Sequence, residues 1–240
     1  MNVAAFFDVD GTLYRDSLMV EHFKKLIKYE VLDASIWHGS AKEKFENWKK
    51  RHGDYEEYLL EIAEIYLNSM KGLDQSYINF ITDQVIKLKG ERVYRYTRDR
   101  IKWHQKENHK VIFISGSPSF LVEKMAEAYG VKYFKGTEYL IDENNCFTGK
   151  LKPMWESDCK ITAINQFVEE LDIDLKASYA YGDTNGDLDM LKMVGHAILI
   201  NPIKKLVENI QADPVLQKKA KIIVERKDVI YNIPVDVKVL

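Results

Sequence analysis

The run Val3-Ala4-Ala5-Phe6-Phe7 is continuously apolar and ends in Asp8-Val9-Asp10-Gly11-Thr12, and this junction constrains the chain more than any other stretch. A short segment that is apolar on both sides of its pleat suits a central strand covered on both faces, as in a parallel sheet. Side chains alternate along an extended chain, so Asp8 and Asp10 leave on the same side. Two carboxylates that close hold protons more tightly unless a cation sits between them. The pair reads as a divalent-metal site, as acid and base chemistry, or as a solvated turn, and partners elsewhere in the chain must decide.

Two later stretches repeat the form. Val111-Ile112-Phe113-Ile114-Ser115 runs into Gly116-Ser117-Pro118-Ser119 and then a helical pattern. Tyr179-Ala180-Tyr181 runs into Gly182-Asp183-Thr184-Asn185-Gly186-Asp187, again followed by a helical pattern. Strand, polar turn and helix is the unit of α/β folds, whose ligands bind at the C-terminal ends of the strands. Ser115 and Gly116 can offer a hydroxyl and unencumbered N–H groups to an anion. Asp183 and Asp187 place carboxylates at a second strand end, spaced by four.

The stretches between are assigned more coarsely. A helix is expected over residues 93–107, strands over 131–134, 138–141 and 146–148 with a small hairpin among them, and further strands over 197–200 and 222–224. Asp158 is expected to cap a helix over residues 159–171, which places Lys160 in the first turn. A lysine there opposes the helix dipole, so it is either solvated or answers to an anion. The apolar tail 229–240, interrupted by Pro234, receives no assignment.

From Ser17 to about residue 89 no strand signal occurs. Leu18, Phe23, Leu26 and Ile27 form one helical stripe, and Tyr55, Leu59, Ile62, Ala63, Tyr66 and Leu67 another. Breaks near residues 33–35, 52–54 and 72–74 divide this block into about four helices, with Ser35, Asp54 and Asp74 as N-caps. Its aromatics, Trp37, Phe45, Trp48, Tyr55, Tyr58 and Tyr66, read as packing rather than a ligand cage. The basic run 42–51 contains Glu43 and Glu46 and reads as a solvated face.

With 240 residues and 46% hydrophobic content the chain can bury a full core, and a net charge of -2 gives it no general attraction for nucleic acid or an anionic membrane. Cys146 and Cys159 have no metal-type spacing and read as free thiols in a reducing compartment. The first apolar run has no basic stretch before it, and no later run approaches the roughly 20 apolar residues of a membrane span. A cytoplasmic protein is expected.

Taken in order, Asp-x-Asp-Gly-Thr, Ser-Gly, a lysine at a helix start and Gly-Asp-x-x-x-Asp resemble the haloacid dehalogenase superfamily of phosphohydrolases. The helical insertion between the first two motifs is similar to that of the phosphoserine-phosphatase-like branch. The resemblance implies a doubly wound, mainly parallel, Rossmann-like α/β core over residues 1–14 and 91–240, with an all-helical cap over 15–90. It implies a Mg²⁺-dependent phosphomonoesterase acting on a small phosphorylated metabolite. Asp8 would be the nucleophile that forms an aspartyl-phosphate, and Asp10 the acid and base. Ser115, Gly116, Lys160 and Gly11 would hold the phosphoryl group, and Asp8, Asp10 (through its carbonyl), Asp183 and Asp187 the metal, directly or from behind.

Two positions depart from that branch. Gly186 stands where an Asn is usual, with Asn185 beside it, and Ser17 stands where related enzymes carry a Glu that reads the substrate amine. The chemistry survives these changes, but phosphoserine is not the expected substrate. Asp16 or Glu21 could take the Glu's place, and Arg15 and Arg51 could meet an anionic substrate group. A phosphotransferase or mutase on the same scaffold, and a non-catalytic phosphate sensor or phospho-Asp switch, are the rival readings. A dehalogenase is disfavoured, because a departing halide needs neither a proton nor Mg²⁺.

Overall fold

The computed structural model describes every residue except 51, 53, 54 and 240. The core is an eight-stranded sheet. In chain order its strands are β1 (Ala4–Phe7), β2 (Lys110–Pro118), β3 (Tyr133–Ile141), β4 (Phe147–Lys152), β5 (Tyr179–Gly182), β6 (His196–Ile200), β7 (Ala220–Arg226) and β8 (Val229–Ile233). They lie side by side as β4-β3-β2-β1-β5-β6-β7-β8. All neighbours are parallel except the edge pairs β3–β4 and β7–β8.

Strand β1 sits where the winding reverses, with Phe7 level with Phe113 of β2 on one side and Tyr181 of β5 on the other. This reversal leaves a crevice at the strands' C-terminal ends, the place where open α/β sheets bind ligands. The period of two divides β1 between two cores. Ala4 and Phe6 pack with the apolar faces of later helices on one side, and Ala5 and Phe7 pack with another set on the opposite side.

The helices are α1 (Leu18–Lys28), α2 (Ala34–Ile36), α3 (Lys42–Lys49), α4 (Tyr55–Met70), α5 (Gln75–Lys89), α6 (Arg95–Lys106), α7 (Ser119–Ala128), α8 (Ser157–Leu171), α9 (Leu188–Met193), α10 (Lys204–Ala212) and α11 (Pro214–Lys219), with a π-helical turn at Trp37–Ala41 between α2 and α3. Helices α8, α9 and α10 cover one face of the sheet, and α6 and α7 the other. The block α1–α5 packs around a third apolar centre built on Phe23, Leu26, Ile62, Tyr66, Ile78 and Ile81, which Tyr139 of β3 and Phe147 of β4 join. Where the chain leaves the sheet and returns, the two crossings pair: Arg15 N donates to the Arg92 carbonyl at 3.0 Å and Tyr94 N to that of Leu13 at 2.9 Å.

Several local expectations change. Asp33, not Ser35, caps α2, its carboxylate accepting from Ser35 N at 2.7 Å, while Asp74 caps α5 as expected. Asp54 lies outside the described residues. Helix α8 begins at Ser157 with Glu156 before it, so Asp158 is a first-turn residue rather than the cap. The two strands expected over 131–141 are one, and the unassigned tail supplies the antiparallel edge strand β8. Among the described residues no helix is long and apolar enough to cross a membrane.

Candidate active site

The turns that follow β1 and β5 meet the last residues of β2, Ser115 to Pro118, over the C-terminal end of the sheet. Asp8 leaves β1 buried, and its Oδ1 lies 3.1 Å from Lys160 Nζ. The same ammonium donates to Asp187 Oδ1 at 2.6 Å. Lys160 is 3% exposed although it stands in the first turn of α8, which excludes the solvated alternative. Asp187 Oδ2 accepts from the N–H groups of Asp183 and Thr184, each at 3.1 Å, so this carboxylate both ties the β5 loop together and orients Lys160. Asp183 Oδ1 accepts from Thr12 Oγ1 at 3.0 Å.

Oxygens of Asp8, Asp183 and Asp187 all lie within 4.8 Å of one another. Three buried carboxylates around one ammonium leave an excess of negative charge, and burial makes that excess costly. Burial accordingly pushes Asp8 up to about 8, the carboxylates of Asp187 and Asp10 adding to it and Lys160 opposing. Asp183 is driven well above the usual carboxylate range, again by burial first and then by Asp8 and Asp187. Burial works against a charged Lys160, but Asp187 and Asp8 outweigh it and keep the ammonium protonated beyond its ordinary range.

Asp10 is built differently. Its Oδ1 accepts from Leu18 N at 3.0 Å, and its Oδ2 from Ser117 Oγ at 2.6 Å and Ser17 Oγ at 3.2 Å. Burial raises it to about 6, against the pull of those donors. A group that titrates close to neutrality can both give and take a proton. Ser17 thus serves Asp10 and the start of α1, where its Oγ accepts from Val20 N at 3.4 Å.

Glycines make the close approaches possible. Gly11 has φ +80, and a Cβ there would fall 2.6 Å from the Asp183 carboxyl carbon. Its N–H donates to the Tyr14 carbonyl at 2.8 Å, and its missing side chain makes room for Asp183. Ser115 is 1% exposed, with its Oγ accepting from Ser117 N at 3.2 Å. Ser115 and Gly116 both line a cavity of about 120 Å³ over Asp8, together with Asp10 and Lys160.

The structure therefore brings Asp8, Asp10, Gly11, Ser115, Gly116, Lys160, Asp183 and Asp187 to one place. It does not bring Arg15 or Glu21 to the cavity. Arg15 donates to the Val93 carbonyl at 2.7 Å and to Glu225 Oε1 at 2.5 Å, and Glu21 pairs with Lys89. Asp16 is exposed and borders a neighbouring cavity, and Arg51 lies outside the described residues. The sequence reading missed Ser117, Thr12 and Thr184. Ser117 had a signal: two residues beyond Ser115 on an extended chain, it shares that residue's side.

Residues 5–192 match the family model described as haloacid dehalogenase-like hydrolase. The chain belongs to this family. A histidinol-phosphatase of Neisseria meningitidis is 23% identical over 226 residues, spanning 92% of this chain and 96% of the relative. Among solved structures, a protein of unknown function from Bordetella pertussis superposes with a TM-score of 0.72 at 20% identity, covering 88% of this chain and 96% of the other. A substrate-bound phosphoserine phosphatase superposes with a TM-score of 0.62 at 19% identity, covering 95% of each chain. These superpositions establish the shared fold.

Proposed function

We propose that the protein is a Mg²⁺-dependent phosphomonoesterase that hydrolyses a small phosphorylated metabolite in the cytoplasm through an aspartyl-phosphate on Asp8. The observation that carries this reading is Asp8 itself, a buried carboxylate 3.1 Å from the Lys160 ammonium at the floor of a cavity that Ser115 and Gly116 also line. An Asp8 oxygen attacks phosphorus in line, forming the acyl-phosphate bond as the ester P–O bond breaks. Asp10 gives its proton to the departing alkoxide, then takes one from the water that attacks the acyl-phosphate and releases inorganic phosphate. Lys160 and Ser115 hold phosphoryl oxygens, and Asp187 positions Lys160 through its 2.6 Å contact.

The buried excess of carboxylate fits a hard divalent cation, and all-oxygen donors suit Mg²⁺. Asp8, the Asp10 carbonyl and Asp183 would hold it. Both Asp187 oxygens are engaged by Lys160 and the 183–184 N–H groups, which supports a position for Asp187 behind the ligands. When bound, Mg²⁺ offsets negative charge on the phosphoryl group and on Asp8. We assign residues 1–14 and 91–240 to the catalytic core and 15–90 to a cap whose closure restricts the substrate to a small molecule.

The test is turnover of p-nitrophenyl phosphate with Mg²⁺, with excess chelator and with Ca²⁺ in place of Mg²⁺. The expected result is turnover with Mg²⁺, none in chelator and little with Ca²⁺, whose looser shell misplaces the reacting groups. Undiminished activity in excess chelator refutes the metal role.

A further inference from the structure

The cavity over Asp8 has two unlike sides, and the phosphoryl group accounts for one. Asp8, Asp10, Ser115 and Lys160 form its polar floor. Facing them are Met19, Tyr55, Leu59, Leu60, Ala63 and Trp155. Tyr55, Leu59 and Ala63 stand at intervals of four on α4 and so make one stripe. The adjoining residues Tyr58, Ile62, Tyr66 and Met70 are the ones buried among the cap helices. Tyr55, Leu59 and Ala63 also pack partly against that centre, and the surface they leave uncovered roofs the site.

Trp155 is seated closely on two glycines. A Cβ on Gly116 would lie 3.0 Å from the Trp155 Cβ, and one on Gly186 would lie 3.1 Å from the Trp155 carbonyl oxygen. Among the described residues, Asp8, Asp10 and Lys160 are the only charged side chains that line the cavity. Nearby carboxylates on the cap are engaged elsewhere. Glu21 pairs with Lys89, and Glu56 accepts from Asn185 N at 3.2 Å. Asp16 accepts from Ser17 N at 3.1 Å and faces the neighbouring cavity. Among the described residues, an ammonium or carboxylate on the substrate's alcohol would find no partner of opposite charge against this roof, and taking it out of water there is costly.

We infer that the preferred substrates are phosphate monoesters of small, uncharged, predominantly apolar alcohols, read by Tyr55, Leu59 and Ala63 together with Met19 and Trp155. This rests on the phosphomonoesterase reading above. The cavity, about 120 Å³, favours a short alcohol over a long one.

The experiment measures kcat/KM at fixed Mg²⁺ for methyl, ethyl, propyl and butyl phosphate, beside phosphoserine, phosphoglycolate and histidinol phosphate, with p-nitrophenyl phosphate as the activity reference. The expected result is a rise of roughly two- to fourfold per methylene until the cavity is full, with every charged ester at least about tenfold below the best alkyl ester, since a single unpaired buried charge costs more than that. Leu59→Asp flattens the gradient, and Ala63→Leu ends it at a shorter chain. Partial misfolding lowers all esters alike, so the slope remains a measure of recognition and the wild-type gradient decides. A flat wild-type series, or a charged ester ranking first, overturns the inference. Failure to hydrolyse any ester, p-nitrophenyl phosphate included, rejects the phosphomonoesterase reading and this inference with it.

Discussion

Asp8 and Asp10 stand two residues apart on one side of a strand end, yet their surroundings give them different work. Asp8 meets an ammonium and two other carboxylates, whereas Asp10 is held by two hydroxyls and a backbone N–H. Asp10→Asn keeps the shape and the acceptor oxygen but removes the transferable proton. In single-turnover measurements of the first step, loss should be small for an aryl phosphate, whose leaving group needs little protonation, and on the order of a hundredfold or more for an alkyl phosphate. Equal losses for both would contradict the acid role. Ser117, whose hydroxyl donates to Asp10 at 2.6 Å, belongs to the same device.

Helix α4 is where the α1–α5 block touches the loop after β5. From its first turn Glu56 accepts from the N–H of Asn185 at 3.2 Å, and its other oxygen lies 3.8 Å from Lys205 on α10. This contact ties the roof to the loop that carries Asp183 and Asp187. Glu56→Ala should loosen closure, raising KM several-fold, with faster amide exchange in the first turns of α4 and little change in overall stability, since the pair is partly solvated. Unchanged exchange and unchanged KM would show that the contact holds nothing closed. The elements were legible in the sequence where a short apolar run stops at a polar turn, as at Phe7 and Tyr181, because period and turn chemistry are local. The turns that hold Asp8, Asp10 and Asp183 were legible for the same reason, whereas Ser115 lies within β2 and Lys160 in the first turn of α8. The division of the α4 stripe was not: periodicity marks Tyr55, Leu59 and Ala63 as apolar but cannot say whether a neighbouring helix or a substrate covers them. Nor could local pattern reveal that Arg15 is bound to Glu225, a partner 210 residues away.

Across the whole molecule, acid stability is governed by buried groups of opposite sense. His22, fully buried among the α1–α5 helices, meets Tyr66 OH at Nδ1 (2.8 Å) and, at Nε2, both Thr82 Oγ1 (3.2 Å) and the Ile78 carbonyl (3.3 Å), so both ring nitrogens have a partner without a charge on the ring. Burial lowers His22 to about 4, and burial with Arg100 and His109 lowers His104 to about 3. The unfolded chain takes up these protons near the ordinary histidine value, so each contributes stability above that value that is lost as pH falls toward the depressed one. The raised carboxylates Asp8 and Asp183 run the other way, their contribution declining as pH rises. The histidine part is therefore read as a difference: between about pH 7 and 5, wild type should lose on the order of 2 kcal/mol more than His22→Gln in denaturant unfolding. Equal losses would mean that His22 is not held neutral. For the molecule as a catalyst, the most direct measurement is capture of the covalent intermediate. Enzyme turning over p-nitrophenyl phosphate with Mg²⁺ is quenched with borohydride, which reduces an acyl-phosphate to the alcohol, and the peptides are read by mass spectrometry. The account predicts homoserine at position 8, dependent on both substrate and Mg²⁺ and absent in Asp8→Asn. Turnover with residue 8 unmodified, or reduction at a different carboxylate, would contradict it.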